Sequence, residues 1–291
     1  MTHGAQPERI SVFSACLPGW DAGRVIDSAA ALGFCTVEWA SGPGHAIQAP
    51  DQGQHVHELC ERAGVRIAGI SVQDPDVTLE TPALAKRHVD LAAALGAPHV
   101  RLLAPAYQGG SLHAELKRAR QGLDQLVEVA APAGVAVVVE TSPGTLAPAP
   151  ELAVALVEHQ SPDLAGVLYD PGNMVIEGHL DPPLAVARLG PHLRHVHVKN
   201  IVWLRTEGTW RWQHATLATG MLDWRSIVRA LAAARYEGRF SIDHLGGEVT
   251  TAKLESETAQ LRELVADGFG VESHRSPTSS SEGGPRSTVN A

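Results

Sequence analysis

Eight short runs of apolar and β-branched residues recur along the chain, each followed by a longer stretch with helical spacing. They are residues 9–15 (RISVFSA), 35–40 (CTVEWA), 66–72 (RIAGISV), 99–104 (HVRLLA), 135–140 (VAVVVE), 166–170 (GVLYD), 193–200 (LRHVHVKN) and 239–243 (RFSID). Strands that alternate with helices imply a parallel sheet with helical crossovers. Eight such units, with no interruption long enough for a second domain, predict one closed (β/α)8 barrel over residues 1–272. The intervening helices include 83–96, 111–134 and 223–238, with Gly96, Gly134 and Gly238 as stops and Asp223 as an N-cap. A doubly wound open sheet is the rival fold, but the turn SACLPGWD after the first run carries no GxGxxG. Residues 273–291 are rich in Ser, Gly and Pro, have little to bury, and are expected to form a disordered tail.

The charge balance removes some function classes. The net charge is −9 and no Lys/Arg-rich cluster exists, which argues against binding a nucleic acid. No segment of about 18 uninterrupted apolar residues predicts a membrane span. The beginning, MTHGAQPERISVF, lacks a basic stretch followed by an apolar run, so no signal peptide is expected. Cys16, Cys35 and Cys60 form no CxxC pair, which suggests reduced thiols and a cytoplasmic setting.

Chemistry gathers where the late strands end. The fifth run ends in Glu140, the sixth in Asp170 and the eighth in Asp243, and the seventh carries His197 near its end. In a (β/α)8 barrel these C-terminal strand ends share one rim, where active sites lie. Several carboxylates brought together out of water need a compensating cation. Three oxygen donors and one imidazole suit Mn2+ or Mg2+, with Co2+ or Zn2+ as alternatives. Each residue also has an ordinary structural explanation. Glu140 could cap a helix, the Asp-Pro-Gly-Asn run at Asp170 is strong turn chemistry, His197 could be a bonded core histidine, and Asp243 could serve its loop.

The ordered set VVVET, LYDPGN, HVHVKN, TGMLDW and FSID, together with GFCTVEWA, resembles the xylose-isomerase-like TIM-barrel superfamily of sugar isomerases and epimerases over roughly residues 8–268. The resemblance implies a divalent metal held by Glu140, Asp170 and His197. It also implies a fourth ligand on the last strand, where Asp243 replaces the usual Glu. Lys199 would project from the face of His197 toward the substrate, as a cation beside an oxyanion. His195, deeper on that face, would be either a donor to a carboxylate or core filling. Asn173 stands where many members carry His, and it can hydrogen-bond a sugar hydroxyl but cannot carry a proton at neutral pH.

The reaction so implied is α-proton abstraction beside a carbonyl of a sugar or keto-sugar, with a metal-stabilised enediolate. Glu140 is the expected base, and a second carboxylate, Asp243, would return the proton. The same first step serves a lyase, either a keto-inositol dehydratase or an enzyme cleaving C–C bonds of 3-keto-glycosides. A bulkier substrate would suit the Trp-rich loop NIVWLRTEGTWRWQH, whose Trp203, Trp210 and Trp212 could stack on a ring or cover a subunit contact in a homo-oligomer. Arg205 and His244 complete the expected substrate-binding set. A non-catalytic sugar-binding barrel is the alternative outside enzymes. An abasic-site endonuclease of this fold would need more histidines, and no D-x-H pair follows Lys199.

Overall fold

The structure, a computed structural model, describes residues 9–45, 47–178 and 181–270. The tail expected over residues 273–291 lies outside the described residues. Eight parallel strands form the barrel: β1 (Ile10–Phe13), β2 (Thr36–Ser41), β3 (Arg66–Val72), β4 (His99–Leu102), β5 (Ala136–Glu140), β6 (Ala165–Tyr169), β7 (Leu193–Val198) and β10 (Arg239–Ile242). The hydrogen-bonded order β1-β10-β7-β6-β5-β4-β3-β2 closes because β1 pairs with both β10 and β2. Closure excludes the open doubly wound sheet. Each expected strand is present within a residue or two of its bounds.

Local chemistry places the helices. α1 (Ala22–Ala31), α4 (Leu112–Ala130), α6 (Pro171–Glu177), α7 (Pro182–Leu189) and α8 (Trp224–Ala233) begin behind Asp21, Ser111, Asp170, Asp181 and Asp223, whose side chains accept from the first free N–H groups. α2 (Pro50–Ala63), α3 (Pro82–Leu95) and α5 (Pro150–Val157) start on proline, whose fixed φ suits the first turn. α9 (Thr251–Gly270) closes the described chain. Gly96 ends α3, and Gly134 ends the short 3-10 turn after α4, at φ 69° and 70°. The expected stop at Gly238 is not one. α8 ends at Ala233, and the left-handed residue is Arg235, at φ 55°.

The largest departure lies between β7 and α8. The Trp-rich segment is not a loop but an antiparallel hairpin, β8 (Asn200–Thr206) and β9 (Thr209–Ala215). Its two-residue turn, Glu207-Gly208, takes φ 52° and 81°, as a type I′ turn requires. Asn200 anchors the base by donating to the carbonyls of Leu217 and Leu222.

Period-two alternation divides the strands into two faces. Buried Val12, Val37, Ile70, Val100, Val137, Val139, Val196, Val198 and Ile242 belong to the apolar core. The opposite parity carries Glu38, Ser71, Arg101, Glu140, His195, His197 and Ser241, all buried. Glu38 on β2 touches His195 and His197 on β7, strands that are not neighbours in the sheet, so these side chains meet across the interior. A bonded polar network takes the place of much of the usual branched aliphatic filling of such a barrel, beside Val138 and Leu168.

Candidate metal centre

The network is built upward from Glu38. Its carboxylate accepts from His195 Nε2 at 2.9 Å, from His197 Nε2 at 3.0 Å and from Ser71 Oγ. Burial opposes its charge, yet the two imidazoles hold Glu38 well below the usual carboxylate range. With Nε2 held by Glu38, His197 turns Nδ1 toward the barrel mouth, and Phe13 stacks on its ring at 5.1 Å. His195 also bonds Ser241 Oγ at 2.8 Å, so it is a donor to a carboxylate and not core filling.

Three carboxylates converge on His197 Nδ1: Glu140 Oε1 at 3.7 Å, Asp170 Oδ2 at 3.8 Å and Asp243 Oδ1 at 3.8 Å. Glu140 Oε2 is paired with Arg101 Nε at 3.0 Å, and Asn173 Nδ2 donates to Oε1 at 3.2 Å. Asp170 Oδ1 caps α6 through Asn173 N, which leaves Oδ2 for the centre. The turn chemistry of Asp-Pro-Gly-Asn and the converging carboxylate are therefore one arrangement. Lys199 Nζ lies 2.6 Å from Asp170 Oδ2 and 2.9 Å from Asp243 Oδ2.

Burial raises Asp170 to about 6, only partly countered by Lys199. Burial also works against Glu140 and Asp243, but Arg101 brings Glu140 down to about 2 and Lys199 lowers Asp243. His197 is held well above the usual imidazole range, because Glu38 and Asp243 outweigh the effect of its burial. The centre thus retains protons where another cation would serve.

These residues fit a divalent ion. His197 Nδ1 is buried and lacks a hydrogen-bond partner, and Asp170 Oδ2 is buried with the Lys199 ammonium beside it. The carboxylate oxygens around Nδ1 are too far away for hydrogen bonds, at the separations two ligands of one ion adopt when each bond is about 2.0–2.2 Å. Ligand atoms of Glu140, Asp170 and His197 lie within 4.8 Å of one another. Two carboxylate oxygens and one imidazole suit Mg2+, Mn2+, Co2+ or Zn2+.

The sequence matches the family described as xylose isomerase-like TIM barrel over residues 26–265, most of the chain. This chain belongs to that family. Among solved structures this xylose isomerase-like barrel is similar to a D-tagatose 3-epimerase-like protein, with a TM-score of 0.72 at 20% identity, covering 89% of this chain and 98% of the other. A probable 3-DHS dehydratase, AsbF, from Bacillus anthracis matches with a TM-score of 0.71 at 18% identity, covering 87% and 98%. A xylose isomerase-like TIM barrel protein from Mycobacterium smegmatis, in complex with magnesium, matches with a TM-score of 0.69 at 18% identity, covering 90% and 98%. At these identities the likeness shows the fold. No match is found among curated proteins.

Not every expected site residue of this xylose isomerase-like chain reaches the centre. Glu140, Asp170, His197, Asp243 and Lys199 do, and Asn173 touches Glu140. His244 stands at the edge and stacks on His214 of β9, with centroids 3.5 Å apart. Trp203 is half-buried and donates Nε1 to the Val175 carbonyl of α6. Arg205 is exposed beside the hairpin turn, opposite Trp210, and is not brought to the centre. Arg101 and Glu38 join the site without being among the residues expected from the sequence. The available signal was a charge on the inward parity of a buried strand, in HVRL and TVEW.

Proposed function

We propose that this barrel is a divalent-metal-dependent isomerase or epimerase of a sugar or keto-sugar, moving a proton on the carbon beside a carbonyl. The observation that carries it is the orphaned, buried His197 Nδ1 ringed by Glu140, Asp170 and Asp243. Glu140, Asp170 and His197 would hold the ion, which supplies Lewis-acid polarisation of the substrate carbonyl.

The chain's own residues supply the rest. Glu38 fixes the ring of His197, and Arg101 and Asn173 hold Glu140 so that Oε1 faces the centre. The Asp243 side chain is 16% accessible against 7% for Glu140 and 0% for Asp170, which leaves it the most open toward the mouth. Glu140 and Asp243 are the two carboxylates able to take and return the α-proton. Lys199 holds its ammonium between Asp170 and Asp243 and so orients the second of these carboxylates. The similarity to epimerases agrees with this chemistry. Incubation of Mn2+-loaded protein with a panel of ketoses and keto-glycosides in D2O tests it. Deuterium enters the α-carbon, and Glu140→Gln abolishes entry. No label uptake and no elimination across the panel would overturn the proposal. A metal-free protein that binds sugars unchanged by Glu140→Gln would indicate a non-catalytic barrel.

One observation favours a lyase as the second reading. The hairpin face toward the mouth carries Trp203, Trp212 and His214, with Trp212 edge-on to His214 at 5.4 Å and His214 stacked on His244. This aromatic wall, with Trp210 further out, suits a substrate larger than one sugar ring. A dehydratase is among the similar structures. Under this reading Trp212→Ala raises KM for a keto-glycoside carrying a bulky aglycone and leaves KM for a simple ketose unchanged.

A further inference from the structure

The four candidate ligands, His197 and the three carboxylates around it, are not equivalent. Ligand atoms of Glu140, Asp170 and His197 lie within 4.8 Å of one another, and Asp243 is not in that group. Asp243 Oδ2 instead accepts from Lys199 Nζ at 2.9 Å, and the same ammonium lies 2.6 Å from Asp170 Oδ2. The Lys199 side chain is only 9% accessible. It reaches this place because residue 172 is glycine, where a Cβ would stand 2.6 Å from Lys199 Cγ. An ammonium is a compact point charge. Between two carboxylates it cancels their repulsion, as an ion would. Only Asp243 Oδ1 is left to face the centre.

We propose that Lys199 is a built-in cation that keeps Asp243 out of the metal's ligand set. Glu140, Asp170 and His197 alone hold the ion, and Asp243 stays unligated and tethered to the ammonium as a proton-handling carboxylate. Lys199 is then a positioning residue with two effects. It orients Asp243, and it opposes the incoming ion by like charge at Asp170, the oxygen both cations share. The departure from Glu to Asp on the last strand becomes intelligible as one half of an Asp–Lys pair. This inference rests on the reading that the centre holds a divalent ion.

Calorimetric titration of the full chain with Mn2+ alone, without substrate, tests it. Asp170→Asn, which removes a ligand, weakens binding by about 100-fold or more, beyond the roughly 10–100-fold that loss of an orienting partner costs. Asp243→Asn weakens it clearly less, by about tenfold, the effect of losing a neighbouring charge that is not itself a ligand. Lys199→Met tightens binding by at least about tenfold, since a like charge is gone and Asp243 is free to ligate. The double variant Lys199→Met/Asp243→Asn loses the part of that gain due to ligation. A merely structural role for Lys199 would weaken binding on substitution. The inference is overturned if Asp243→Asn loses affinity as Asp170→Asn does. It is equally overturned if natively melting Lys199→Met binds no tighter than the parent. If Lys199→Met does not fold, the Asp243→Asn comparison decides alone. Absence of Mn2+ binding by the parent chain would instead sink the metal reading beneath it.

Discussion

Replacing Glu38 by glutamine changes no volume and should disable the centre from below. Glu38 is fully buried and accepts from both His195 Nε2 and His197 Nε2 as well as from Ser71. Glutamine retains one acceptor oxygen and presents an NH2 in place of the other. One imidazole must then turn an N–H against another donor or change tautomer. If His197 accepts at Nε2, its proton moves to Nδ1, where the lone pair for the ion should be. Hydrogen bonds to a charged group are worth about 1.5–3 kcal/mol each, and removing one partner of a buried charged set costs about 3–5 kcal/mol. We expect a loss of about 3 kcal/mol, or roughly 6–12 °C in Tm for a chain of this size. Metal affinity should fall by about 10–100-fold, the usual effect of losing a partner that orients a ligand. Thermal unfolding followed by circular dichroism, with and without Mn2+, and calorimetric titration measure both. A Glu38→Gln protein that melts within about 2 °C of the parent and binds Mn2+ within about threefold would refute the reasoning.

Metal loading should be linked to pH. With Asp170 raised to about 6 and His197 raised well above its usual range, Mn2+ must displace protons. Affinity therefore rises with pH through this region, and titrations in two buffers of different ionisation enthalpy report net proton release. For the metal-free chain, a carboxyl raised from 3.8 to about 6 contributes stability that is present at low pH and lost as pH rises toward and past 6. Glu140, lowered to about 2, acts the other way, and its contribution is lost as pH falls from 4.5 toward 2. Melting curves at pH 5 and pH 7, with and without Mn2+, should show the ion stabilising more at pH 7. Gly172→Ala places a Cβ 2.6 Å from Lys199 Cγ and should cost about 1–3 kcal/mol in denaturant unfolding.

The barrel was legible because its signals are local. A continuous apolar run ending in Glu140 on β5, valines alternating with histidines on β7, proline at helix starts and aspartate at caps can all be read from a few neighbouring positions. Glu140, Asp170, His197 and Asp243 were legible because each ends or nearly ends its strand, and barrel closure gathers strand ends. What stayed hidden depends on distance across the interior. Arg101 reaches Glu140 on the adjacent β5, and Glu38 reaches β7 over 157 residues of sequence, so no local pattern announces either contact. The hairpin was hidden for another reason. Its turn is Glu-Gly, with Glu207 at positive φ, and lacks the Asn-Gly signature by which a type I′ turn is usually recognised.

The central claim is that Glu140, Asp170 and His197 meet on a single divalent cation. Equilibrium dialysis of the chain against Mn2+, with the bound metal counted per chain, tests it most directly. One equivalent is expected for the parent and almost none for Asp170→Asn or Glu140→Gln. Substoichiometric binding by the parent, or one full equivalent retained by both variants, would contradict it.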